Sequence, residues 1–84
     1  MIKSKREIKI DGLFENIEGV LNAHDLHVKS NPDEMYLTCD NDKEAVESAI
    51  EVSNDLCNEL GLTILTKTGK KRSTFYFIQR GKRV

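Results

Sequence analysis

Between Ala45 and Leu60 the apolar and small side chains return every three or four residues. Ala45, Val46, Ala49, Ile50, Ser53, Leu56, Cys57 and Leu60 make one stripe, while Glu44, Glu47, Glu51, Asp55 and Glu59 fall on the other side. Such a segment is a one-sided helix, and it must lie against a second apolar surface. Asp40, Asn41 and Asp42 offer N-caps, and Asn41 and Glu44 stand at capping-box spacing. Gly61 suits the left-handed position that closes a helix.

The rest of the chain supplies that surface. Ile8 and Ile10 alternate with Glu7 and Lys9, which predicts a strand over residues 5–10. Asp11 then caps a helix over Gly12–Ala23, with Leu13, Phe14, Ile17, Val20 and Leu21 inward and His24 at its end. Residues 26–30 alternate again, with Leu26 and Val28 inward and His27 and Lys29 outward. The segment 30–34 carries Pro32 between Asn31 and Asp33 and reads as a turn. Residues 35–39 place Met35, Leu37 and Cys39 inward and Tyr36 and Thr38 outward. After the second helix, Leu62 and Ile64 alternate with Thr63, Leu65 and Lys67. A basic loop, 68–73, leads to a strand over 74–80 whose β-propensity is the strongest in the chain.

The expected order is β-α-β-β-α-β-β. It corresponds to an α+β fold, a two-layer ferredoxin-like plait with an antiparallel sheet, both helices on one face and a C-terminal β-hairpin. The 84 residues make one domain, 1–84, with 1–4 and 81–84 flexible. A 38% hydrophobic content with one proline argues for a folded chain. No apolar run is long enough to span a membrane, and MIKSKREIKI has no apolar core of a signal peptide. Cys39 and Cys57 then read as reduced, buried thiols of a cytoplasmic protein.

Charge is sorted along the chain. Lys67 to Val84 holds seven basic residues and no acidic one, whereas Asp11 to Thr66 holds thirteen acidic residues and two basic ones, Lys29 and Lys43. A separated field of this kind steers an anionic partner to one surface and repels it from another. If both helices cover one sheet face, the other face carries Glu7, Lys9, His27, Lys29, Tyr36, Thr38, Thr63, Leu65 and Lys67. From the last strand it receives either Tyr76, Ile78 and Arg80 or Phe75, Phe77 and Gln79, and alternation alone does not choose between them.

The chemistry of catalysis is sparse. His24, His27, Cys39 and Cys57 lack the paired spacing of a zinc site. The phosphate-loop motif GxxxxGK[ST] does not occur. The carboxylates after Glu44 are solvated and regularly spaced, so no perturbed acid–base pair is expected. The expectation is a non-enzymatic binding module without cofactor or metal.

Two partners fit. The first is nucleic acid, RNA or DNA, held by Lys67, Lys70, Lys71, Arg72, Arg80, Lys82 and Arg83, with Lys29 and Tyr76 in support. Cations neutralise phosphates, and rings on an open sheet stack on bases. RNA-recognition domains use a four-stranded sheet this way, but their paired-aromatic motif is absent from Met35–Cys39. The second is a protein, met by a small inhibitor or adaptor of the phage or mobile-element type. It would act through Glu44, Glu47, Glu51, Asp55 and Glu59, or through a homodimer in which the last strand extends the sheet.

Overall fold

The structure is a computed structural model that describes Ile2 and residues 4–80. The first element is α1, Lys5–Ala23, not a strand. The Ser4 side chain accepts from the Glu7 N–H at 3.1 Å, and the Glu7 carboxylate accepts from the Ser4 N–H at 2.9 Å. This reciprocal capping box starts the helix well before Asp11. Ile10 then joins Leu13, Phe14, Ile17, Val20 and Leu21 in one helical stripe against the core, and Ile8 points to solvent. Two alternating isoleucines were too short a pattern to outweigh that continuous stripe. His24 is the C-cap, one residue past the helix.

After α1 come β1 (Val28–Asn31), β2 (Tyr36–Asp40), α2 (Lys43–Leu60), β3 (Leu62–Thr68) and β4 (Arg72–Gln79). Asp42 is the N-cap of α2, accepting from the Ala45 N–H, and Gly61 closes it at φ 72°. The fold is α+β, with two helices and a four-stranded antiparallel sheet in the order β1-β2-β4-β3. The expected ferredoxin-like strand order is not formed, because its first strand is helical here. The C-terminal hairpin β3–β4 is present as expected. Its last strand, however, lies inside the sheet, bonded to β2 on one side and β3 on the other. The edges are β1 and β3.

The order is thus α-β-β twice over. Positive φ values follow both helices, at Gly61, the C-cap of α2 (72°), and at Asp25, one residue past the C-cap of α1 (61°). Thr38 and Thr74 are direct partners in the β2–β4 register. The two hairpins are not equivalent in register, since Val28 pairs with Cys39 whereas Ile64 pairs with Phe77. The repetition is one of element order, with few identical residues, so it was not visible in the sequence.

Both helices pack on one face of the sheet. Leu37, Cys39, Phe75, Phe77 and Leu62 meet Leu13, Phe14, Ile17 and Leu21 of α1 and Ala45, Ala49, Cys57 and Leu60 of α2. Phe14 and Phe77 are tilted against each other with centroids 4.8 Å apart. The helices run antiparallel. Arg6 near the start of α1 donates to the Leu60 carbonyl at the end of α2 at 2.9 Å, and Lys9 pairs with Glu59. A cation at a helix C-terminus meets both an orphan carbonyl and the negative end of the dipole. No helix among the described residues is long and apolar enough to cross a membrane.

Replacing Ser4 with alanine is expected to lower the unfolding free energy by about 1 kcal/mol, read from urea midpoints. An unchanged midpoint would argue against the capped helix.

Candidate nucleic-acid interface

Every second residue of the sheet points away from the helices. The register arranges these residues in rows. One row is Asn31, Tyr36, Tyr76 and Leu65, and the next is Lys29, Thr38, Thr74 and Lys67. Asp40 and Arg72 face each other beyond them, and Thr63 pairs with Ile78 at the other end. Leu65, Tyr76 and Ile78 are 50%, 38% and 48% exposed, so a large apolar strip of this face meets solvent. Tyr36 and Tyr76 stand beside each other with ring centroids 6.5 Å apart and planes tilted by 50°.

The choice left open for the last strand is thereby made. Phe75 and Phe77 fill the core, and Tyr76 and Ile78 lie on the open face. The deciding constraint is Leu37: it is buried under the helices, and its partner across the β2–β4 register is Phe75. Glu7 and Lys9 are not on this face, because they belong to α1.

The cations divide. Lys29 and Lys67 stand in one row at opposite edges, three strand spacings apart, or about 14 Å. Lys70 and Lys71 form the exposed β3–β4 turn. That turn is held by Asn41, whose side-chain amide donates to the Gly69 carbonyl at 2.7 Å and whose backbone N–H donates to the Lys71 carbonyl at 3.1 Å. Ser73 Oγ donates to the Asn41 side-chain oxygen from the other strand. Asn41 thus serves the turn and not the cap of α2.

Arg72, expected in a free loop, belongs to β4 and is already engaged. Its guanidinium donates to Asp40 Oδ1 at 3.0 Å and to Thr38 Oγ1 at 3.1 Å. Arg80 leaves the face altogether, reaching Asn58 on α2 at 3.3 Å. Lys82 and Arg83 lie outside the described residues. Tyr36 and Leu65, which the sequence placed outward without a role, complete the apolar row. The signal for Tyr36 was its alternation with Leu37, and its partner Tyr76 needed the strand register.

Asp40 is held below the usual carboxylate range. The main cause is the His27 N–H, which donates to its Oδ2 at 2.9 Å; the His27 ring at 3.2 Å and Arg72 add to it. The acids of the β1–β2 turn, Asp33 and Glu34, sit at the end of the sheet away from Lys70 and Lys71. On the helical layer Glu44, Glu47, Glu51 and Asp55 are exposed and form no ion pair among the described residues, while Glu59 is paired with Lys9. The molecule is therefore acidic over α2 and cationic around the β3–β4 end of the open face.

Burial pushes both the Cys39 and Cys57 thiols up from their ordinary value, and both lie in the core. Unreactive thiols follow from that environment. No group of three or more metal-ligating side chains is gathered among the described residues. The chain matches no protein-family model, no curated protein sequence and no solved structure.

Asp40 ionises more readily in the folded chain than in the unfolded one, so its charge contributes stability at neutral pH. That contribution is lost as pH falls below about 4. Asp40→Asn is expected to lower the melting temperature at pH 7 and to converge with the parent in acid. Parallel melting curves at every pH would sink this assignment.

Proposed function

We propose that this chain is a small, non-enzymatic module that binds single-stranded nucleic acid on its open sheet face. The observation that carries the reading is the juxtaposition of an aromatic row and a cationic row on one uncovered surface. Tyr36 and Tyr76 stand next to each other. Lys29 and Lys67 lie in the adjacent row, two residues along each strand, or about 7 Å away. Rings offer stacking surface to unpaired bases, worth about 1–3 kcal/mol per base. Lysines in the next row and at Lys70 and Lys71 follow the phosphates. Thr38, Thr74 and Asn31 add hydroxyl and amide groups between them. The acids of α2 repel the same ligand from the opposite layer. Arg72 serves here as a strut for Asp40 and His27 more than as a free phosphate ligand.

The test is fluorescence anisotropy with labelled single-stranded RNA, single-stranded DNA and duplex DNA, at about 50 and 200 mM salt. Single strands are expected to bind in preference to duplex. Tyr36→Ala and Tyr76→Ala should each weaken binding by about tenfold or more. The double change Lys70→Ala, Lys71→Ala should weaken it and reduce the salt slope by about 1.4. Absence of binding at the lower salt, or indifference to the tyrosines, would refute the reading.

A protein-directed reading has its own observation. Glu47–Glu51 and Glu51–Asp55 are like-charge pairs at i,i+4, each costing a few tenths of a kcal/mol. They stand unpaired around Val52, which is 50% exposed. Such a surface suits a cationic channel on a partner protein. Glu47→Lys with Glu51→Lys would abolish capture of that partner while leaving nucleic-acid binding intact or stronger.

A further inference from the structure

The sheet has two edges of unequal character. β1 is four residues long, carries Lys29, packs beside α1 and runs into Pro32. Short length, charge and proline all blunt an edge. β3 is seven residues long, Leu62–Thr68, with Lys67 its only charge and no proline. An edge of that length and composition is a template for another strand.

The ladder says which groups are free. The Gly69 N–H donates to the Arg72 carbonyl, and the Arg80 N–H donates to the Gly61 carbonyl. Alternation along an antiparallel pair then assigns residues 63, 65 and 67 to bonding with β4. It turns the backbone groups of Leu62, Ile64, Thr66 and Thr68 outward. Both faces beside this edge carry apolar side chains among polar ones. Leu65 and Ile78 are exposed on the open side. On the helical side an open groove of about 560 Å³ lies between α2 and β3, lined in part by Val46, Ile50, Thr66 and Thr68.

We infer that β3 pairs antiparallel with β3 of a second copy, across a two-fold axis at Leu65. The strand is complementary to itself in this register. Leu65 meets its own mate as a close, non-hydrogen-bonded pair. Ile64 and Thr66 of one copy exchange backbone hydrogen bonds with Thr66 and Ile64 of the other. Lys67 falls opposite Thr63, so no like charges are apposed. Ile64 of the second copy comes alongside Val46 and Ile50 at the mouth of the groove. Lys43 and Glu47 on the groove's rim give each copy both signs of charge there. The chain already joins its two hairpins by antiparallel strand pairing, β2 against β4, with Thr38 and Thr74 as direct partners. The product is a continuous eight-stranded sheet with both tyrosine pairs on one side. Dimerisation through β3 does not depend on nucleic-acid binding.

The test is sedimentation velocity on the full chain at about 1 to 100 μM, with hydrogen exchange at the upper concentration. The parent is expected to reach twice its 9.6 kDa mass, with slow exchange at the outward amides of Ile64 and Thr66. Thr66→Pro removes an outward N–H without touching the β3–β4 ladder, and it should give a folded monomer with fast exchange at Ile64. Leu65→Lys, which places charges face to face on the axis, should also be monomeric. Leu65→Cys should cross-link under oxidation to a species of twice the mass, because Cys39 and Cys57 are buried. A parent that stays monomeric throughout, or a dimer untouched by both Thr66→Pro and Leu65→Lys, would overturn the inference.

Discussion

The antiparallel pairing of β2 with β4 is the contact on which the rest of the molecule depends. It joins the two α-β-β halves and sets Leu37 against Phe75 under the helices. Since side chains alternate with a strict period of two, burying Leu37 and Phe75 commits Tyr36, Thr38, Thr74 and Tyr76 to the other face. A slip of one residue in this register would expose the phenylalanines and bury the tyrosines. The same pairing brings Asp40 to Arg72 and so closes the polar end of the sheet. One register thus produces both the core and the candidate binding face.

The helices contribute by sorting charge. α2 needs one apolar side for the core, and its acids are consigned to the other. α1 runs antiparallel to it, so Arg6 and Lys9 meet the end of α2 and are spent on the Leu60 carbonyl and Glu59. Arg6 and Lys9 therefore do not add to the cationic surface, although they look equivalent to the C-terminal basic run when charge is summed along the chain. Among the described residues, Lys29, Lys67, Lys70 and Lys71 lie near one end of the sheet. Asn41 ties that end to the start of α2, so the turn is presented by a braced hairpin.

Much of this was legible because amphipathic periods are long in α2 and clear in the later strands. The stripe from Ala45 to Leu60, the closing role of Gly61, the outward placement of Tyr36, Thr38, Leu65 and Lys67, and the C-terminal hairpin all follow from local pattern. The N-terminal strand failed for a physical reason. Ile8 and Ile10 give one repeat of a two-residue period, whereas Ile10 to Leu21 give a full helical stripe with Ser4 and Glu7 at capping-box spacing. Arg72 and Arg80 were misplaced because neighbouring cations in sequence need not share a surface. Arg72 found Asp40, far away in the chain, and Arg80 turned back to Asn58.

Sequence alone determined that the chain is α+β, that α2 is acidic on its solvent side, and that its cations gather after Thr66. Those properties depend on residue type and short-range period, which need no partner to be defined. Tertiary structure decided the strand order, which face of β4 is buried, which groups hold Arg6, Arg72 and Arg80, and which strand is left at the edge. Each of those depends on hydrogen-bond register between segments far apart in sequence. Local alternation is equally compatible with either face, and only the packing of Leu37 and Phe75 against the helices chose between them.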